Sequence, residues 1–183
     1  MIRSILLLLA AALSIALSGG PASAQSVTEA DRAQIQSRIN ELSALINQGD
    51  MVGAIEVVPP RLQDMISTRF GIPRDQLKAA MQEAMGPMLA QVKVDGYGMD
   101  LAAASVLNTP TGNRTYLLIP TWTEMTVQGA GRFRAETQTL AWQDEGQWYL
   151  IRVEDAPQQA MLREAYPELV GVEFPAGTTT QLQ

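Results

Sequence analysis

The sequence predicts an α+β fold in which N-terminal helices pack on one face of an antiparallel sheet of about four strands and a last helix follows the sheet. Two observations carry this. Apolar residues recur every three or four positions in the first half of the chain, and in the second half the period switches to two. The long Thr-, Val- and aromatic-rich segments of that half are also joined by short turn signals, which suit hairpins in series and not parallel crossovers.

Ser26 and Glu29 fit a capping box that opens a first helix. Ile35, Ile39, Leu42 and Ile46 form its apolar stripe, and Gly49 supplies its stop. Asp50 can cap a short second helix over 51–58. Pro59-Pro60 ends that helix and opens a third, whose apolar face is Leu62, Met65, Ile66 and Phe70 and which stops at Gly71. Pro73 starts a fourth helix with the stripe Leu77, Met81, Met85 and Met88, ending near Val92. Strands are then expected over 99–107, 115–127, 132–143 and 147–153, separated by turns at 108–113, 128–131 and 144–146. A last helix is expected over 157–166. The tail 175–183 has nothing to bury and is expected to be mobile.

Arg3 is the only charge ahead of the apolar run 5–17, Gly19, Gly20 and Pro21 break that run, and Ala22-Ser23-Ala24 has the small-x-small form of a cleavage site. Thirteen helical residues would span about 20 Å, short of a hydrocarbon core of about 30 Å. Residues 1–24 therefore read as a secretory signal peptide, residues 25–174 as one domain, and the product as exported, periplasmic or secreted, with no stable membrane insertion after cleavage.

The chain has no His and no Cys, which excludes a Ser-His-Asp triad, an imidazole metal site, a thiolate nucleophile and any disulfide. A net charge of −6 argues against nucleic acid as a partner. No cofactor and no metal is expected. Nine Met invite a thioether copper site, but their helical spacing reads as ordinary apolar packing. The pairs Gly96/Gly98 and Gly129/Gly131 lack the third glycine of a dinucleotide loop.

The strand Leu140-Ala141-Trp142, the turn Asp144-Glu145-Gly146 and the following Gln147-Trp148-Tyr149-Leu150-Ile151 resemble the late strands of the nuclear transport factor 2-like (SnoaL-like) superfamily, in particular its uncharacterised exported bacterial members. The likeness spans roughly residues 27–154. It implies a strongly curved, cone-like sheet wrapped around a helix, a pocket inside the cone, and dimerisation through the outer sheet face.

Strand alternation assigns side chains to faces. The parity with fewer charges should face the helices: Leu117 and Ile119, then Ala135 to Ala141, then Tyr149, Ile151 and Val153. Trp122, Trp142 and Trp148, with Leu140 and rimmed by Arg134 and Arg152, then share the outer face as a candidate interface with a second copy or another exported protein. A bulge would instead shift the register and turn the tryptophans into the core.

Met81, Met85, Ile119 and Tyr149 are the candidate lining of a pocket for a small apolar ligand. Enzymes of the resembled superfamily place an Asp, Tyr or His in the cone. Here that leaves Asp100 or Glu124, with a carboxyl pKa raised by an apolar site, and Tyr97, Tyr116 or Tyr149 as hydroxyl donors. Two functions follow. The first is an exported, non-catalytic binding or interaction module. The second is a cofactor-free acid–base enzyme, of isomerase, dehydratase or hydrolase type, acting on a small apolar substrate.

Overall fold

The computed structural model describes residues 26–183; the expected signal peptide lies outside them. Helices come first, a strongly curled antiparallel sheet follows, and a helix succeeds the fifth strand.

Helix α1 spans Glu29–Asn47. Its capping box is Thr28 with Asp31, two residues later than Ser26 with Glu29. The Asp31 N–H donates to Thr28 Oγ1 at 3.1 Å, and the Thr28 N–H donates back to the Asp31 carboxylate at 2.8 Å. A tertiary bond decides between two sequences of equal capping chemistry, because Trp148 Nε1 also donates to Asp31, at 2.8 Å. Hydrogen bonds from the Thr28 hydroxyl and then from Trp148 hold the Asp31 carboxyl below the ordinary aspartate range. A depressed folded-state pKa contributes stability that is present above the unfolded value and lost as pH falls through the folded one. Acid melts should therefore show the wild type losing more stability than Asp31→Asn below about pH 4. Parallel loss in both proteins would mean that the Thr28–Asp31–Trp148 network carries none.

Gly49, at φ +78°, ends α1. Asp50 then accepts from the Gly53 N–H at 2.8 Å and starts a 3-10 turn, Val52–Val57, in place of the expected α-helix. Helix α2, Pro60–Phe70, has Pro at its first position and Gly71 in the left-handed region at its end. Helix α3, Leu77–Leu89, carries Pro87 in its last turn and ends before Val92. Of its apolar stripe only Leu77 is buried. Met81 and Met85 are half-buried, and Met88 is 57% exposed.

The sheet has six strands. The single strand expected over 99–107 is two: β1, Val92–Met99, and β2, Ser105–Asn108, on either side of a turn. Asp100 makes that turn by accepting from the Ala103 N–H at 3.0 Å. Strands β3, Thr115–Val127, and β4, Gly131–Asp144, form a long hairpin. Strand β5, Gln147–Arg152, pairs with the C-terminal end of β4, and helix α4, Ala156–Ala165, follows. The tail corrects the expectation of mobility. Its residues Thr178–Leu182 form β6 on the N-terminal half of β4, opposite Arg132–Glu136. Most of β6 is exposed, so backbone pairing of a Thr-rich segment to a vacant strand edge, and not burial, orders it. The β3–β4 hairpin thus serves two half-sheets, with β2 and β5 beside one end and β1 and β6 beside the other.

Both faces are covered at the β2–β5 end. Ile35, Ile39 and Leu42 of α1 pack with Val57 against Leu117, Ile119, Ala141, Trp148 and Leu150. Burying each of the three α1 side chains contributes about 2 kcal/mol. On the far face, Leu62 of α2 and Leu162 and Ala165 of α4 cover Tyr116, Leu118, Leu140, Trp142, Ile151 and Val153, helped by Tyr166, Leu169 and Val172 of the following segment. The faces expected for β3 and β4 hold, whereas those for β5 are exchanged. Ala141 pairs with Leu150 and Thr139 with Arg152, so Trp148, Leu150 and Arg152 lie on the α1 face, and Tyr149 and Ile151 on the other. The inversion arises because both parities of this short strand are apolar, so charge alone cannot assign them.

Candidate functional site

A cavity of about 160 Å³ lies between the C-terminal part of α1 with the 3-10 region and the curled sheet. Leu42 and Ile46 of α1 and Met51, Ala54, Val57 and Val58 of the 3-10 region form one wall. Val94, Tyr97 and Met99 of β1, Thr121 and Thr123 of β3, Thr139 of β4, and Leu150 and Arg152 of β5 form the other.

A bulge in β1 builds this wall. The register shifts between Val94 and Gly96, so Asp95 is an extra residue, and Val94 and Tyr97 face the same side although they are three apart. Asp95 holds the bulge by accepting from Lys93 Nζ at 2.8 Å and from Thr126 Oγ1 at 2.5 Å. Those bonds also lower its pKa, the Lys93 contact first. On the other side of β1, Gly96 and Gly98 leave room for the Trp122 indole, which lies against their backbone. The Gly96-Tyr97-Gly98 run thus sets a tyrosine on the cavity wall and seats an indole behind it.

The polar groups of the cavity differ in what they have left to offer. Thr121 Oγ1 donates to the Ile119 carbonyl at 3.0 Å, so Thr139 Oγ1 is the donor across the 2.8 Å contact between the two hydroxyls. Both protons are spent. Among the described residues, Tyr97 Oη has no hydrogen-bond partner. Burial pushes its pKa up, against a smaller lowering by the Arg152 charge, so the phenol keeps its proton at neutral pH and remains a donor. Arg152 gives one nitrogen to Glu154 at 2.6 Å, and its side chain is half exposed. Two unspent donors, one neutral and one charged, border an otherwise apolar space.

The residues proposed for catalysis do not meet in this cavity. Asp100 is exposed and occupied as a turn cap. Glu124 lies on the opposite sheet face, where it accepts from Arg134 at 2.9 Å and pairs with Arg132 at 3.7 Å. Tyr116 is buried on the far face among α2 and α4, and that burial raises its pKa. Of the expected lining, Ile119 is fully buried in the α1 core beside the cavity, not at its surface. Met81 and Met85 sit on α3 and do not border it; Met51 and Met99 supply the thioethers instead. Tyr149 lies on the far side of β5, with the Arg38 guanidinium 5.3 Å from its ring.

The expected interface residues are divided in the same way. Leu140 and Trp142 are completely buried beneath the chain's own helices, and Trp148 is tied to α1. Only Trp122 and Arg134 border an open groove, together with Glu136 and the tail residues Pro175 and Thr178. There the Arg134 guanidinium stacks 4.8 Å from the indole while bonded to Glu124 and Glu136.

Threonines at 121 and 123, with 139 on the neighbouring strand, are the sequence signal for the cavity. They mark a sheet face too polar to pack wholly against a helix. Among the described residues no group of three or more acidic side chains could hold a metal ion, and no helix is long and apolar enough to cross a membrane. Fold and site together define an α+β protein with a mostly apolar cavity between its helices and its sheet. No family model, curated protein or solved structure matches the chain.

Proposed function

We propose that this protein is an exported, non-catalytic binding module that takes a small, mostly apolar molecule into the cavity beneath α1. The observation that carries the reading is a mostly apolar cavity bordered by the half-buried Tyr97, whose hydroxyl makes no hydrogen bond among the described residues and so is left to bond a guest. The separation of Asp100, Glu124 and Tyr116 supports binding over acid–base catalysis. The leader-like residues 1–24 support export, and the helix-then-curled-sheet order supports kinship with the nuclear transport factor 2-like superfamily.

The volume sets the size of the guest. A dry cavity of about 150 Å³ holds a benzene-sized molecule, or a tail of about six carbons. Burial at about 0.8 kcal/mol per methylene then corresponds to an affinity on the order of 1 mM. Titration with hexan-1-ol, followed by amide chemical shifts, should perturb Tyr97, Thr139 and Leu150. Ala54→Phe, which fills the space, should abolish those shifts while retaining a cooperative melt. Shifts confined to other surfaces, or unchanged in Ala54→Phe, would overturn the proposal.

A further inference from the structure

We propose that the ligand is a small monocarboxylate, an organic acid with an apolar tail of about six carbons, whose carboxylate is held by Arg152 and Tyr97 at the cavity wall. The inference rests on the binding reading above and adds the chemistry of the head group.

Three observations converge on it. Arg152 is the only ionisable group other than Tyr97 on the cavity lining, and the lining contains no acid. A guanidinium carries five N–H donors, and here only Glu154 is bonded to it, through one nitrogen. A planar donor edge is thus left for a carboxylate, which Arg accepts in paired geometry better than any other side chain does. The β4–β5 register fixes Arg152 beside Thr139 on the cavity face, and the Arg152 charge acts on the Tyr97 phenol. Both residues line the one cavity, so a guest bound there meets a neutral donor and a charged donor on its wall. The two threonine hydroxyls are already spent on each other and on Ile119, so they do not compete for it.

The alternatives fit less well. An amine would meet the Arg152 charge with no carboxylate on the lining to offset it. A neutral alcohol would satisfy Tyr97 and leave the guanidinium unused. Glu154 acts as an internal competitor: it occupies part of the guanidinium and must share it with the guest.

The test compares hexanoate with hexan-1-ol at neutral pH in the full chain, with Arg152→Gln and Glu154→Gln beside the wild type. Wild type should bind hexanoate about tenfold more tightly than the alcohol, with the preference falling as salt rises. Arg152→Gln should erase that preference and leave alcohol binding unchanged, and Arg152→Lys should restore part of it. Glu154→Gln should tighten hexanoate about threefold without affecting the alcohol, a gain that a merely structural Arg152–Glu154 pair does not produce. Equal wild-type affinity for the two probes, or an Arg152→Gln effect of the same size on both, would overturn the carboxylate assignment while leaving the cavity reading intact. Binding of neither probe would overturn both.

Discussion

Gly98→Val should destabilise the protein by about 2–3 kcal/mol, the range for forcing extra atoms into a packed site. A Cβ on Gly98 would lie 2.7–2.9 Å from three atoms of the Trp122 indole, and one on Gly96 would lie 3.0 Å from a fourth. Intrinsic propensity points the other way, since valine favours a strand over glycine by up to about 1 kcal/mol. The clash wins because moving the indole toward its open groove breaks its stacking on Arg134. Gly96 and Gly98 are against one part of it, and the Arg134 guanidinium, pinned by Glu124 and Glu136, is stacked on it. Urea denaturation should show most of the cost relieved when Gly98→Val is combined with Trp122→Leu. Additive costs would mean that the indole is not what excludes the side chain.

Trp142→Ala should cost about 4 kcal/mol, at the upper end for emptying a core site. The indole is fully buried, packs at 5.4 Å against the Tyr166 ring, and has the Arg114 guanidinium 4.4 Å from its ring. Arg114 is itself fixed by the Gln143 carbonyl and by Glu168, and Tyr166 donates to Asp144 at 2.9 Å, so the surround cannot collapse freely into the gap. Trp142→Phe should cost far less, about 1 kcal/mol. Trp142 Nε1 is buried without a hydrogen-bond partner, so phenylalanine removes volume but breaks no bond and relieves an unpaired donor. Thermal melts of the two variants separate these contributions. Similar losses in both would show that the indole nitrogen contributes after all.

The fold class was legible because periodicity and turn chemistry are local. Strand β3 has the bounds its sequence predicts, and α1, α2 and α4 begin and end within a few residues of theirs. Strand β1 was missed because Lys93, Asp95, Gly96 and Gly98 carry weak strand propensity; their pairing is decided by Trp122 and Thr126 on a neighbouring strand. The site was less legible for a related reason. Tyr97 reaches the cavity through a one-residue bulge, and Arg152 through a face assignment on β5 that only the partner strand determines. Candidate acids were chosen by residue type, and type does not reveal that Asp100 is spent on a turn or Glu124 on two arginines.

The shared hairpin also orders events in time. Strands β1 and β2 pair only with β3, and β5 and β6 only with β4, so the two sets become one sheet only when β3 and β4 meet. Their closure is cheap, because residues 128–130 are all that separate them. Strand β5 follows across a turn of two residues, whereas β6 must return to β4 over more than thirty. Docking of α1 closes a far larger loop, since Asp31 and Trp148 are 117 residues apart in the chain. The cavity, walled by α1 on one side and β5 on the other, is therefore among the last features to take shape, and a guest that enters it binds the end product of assembly.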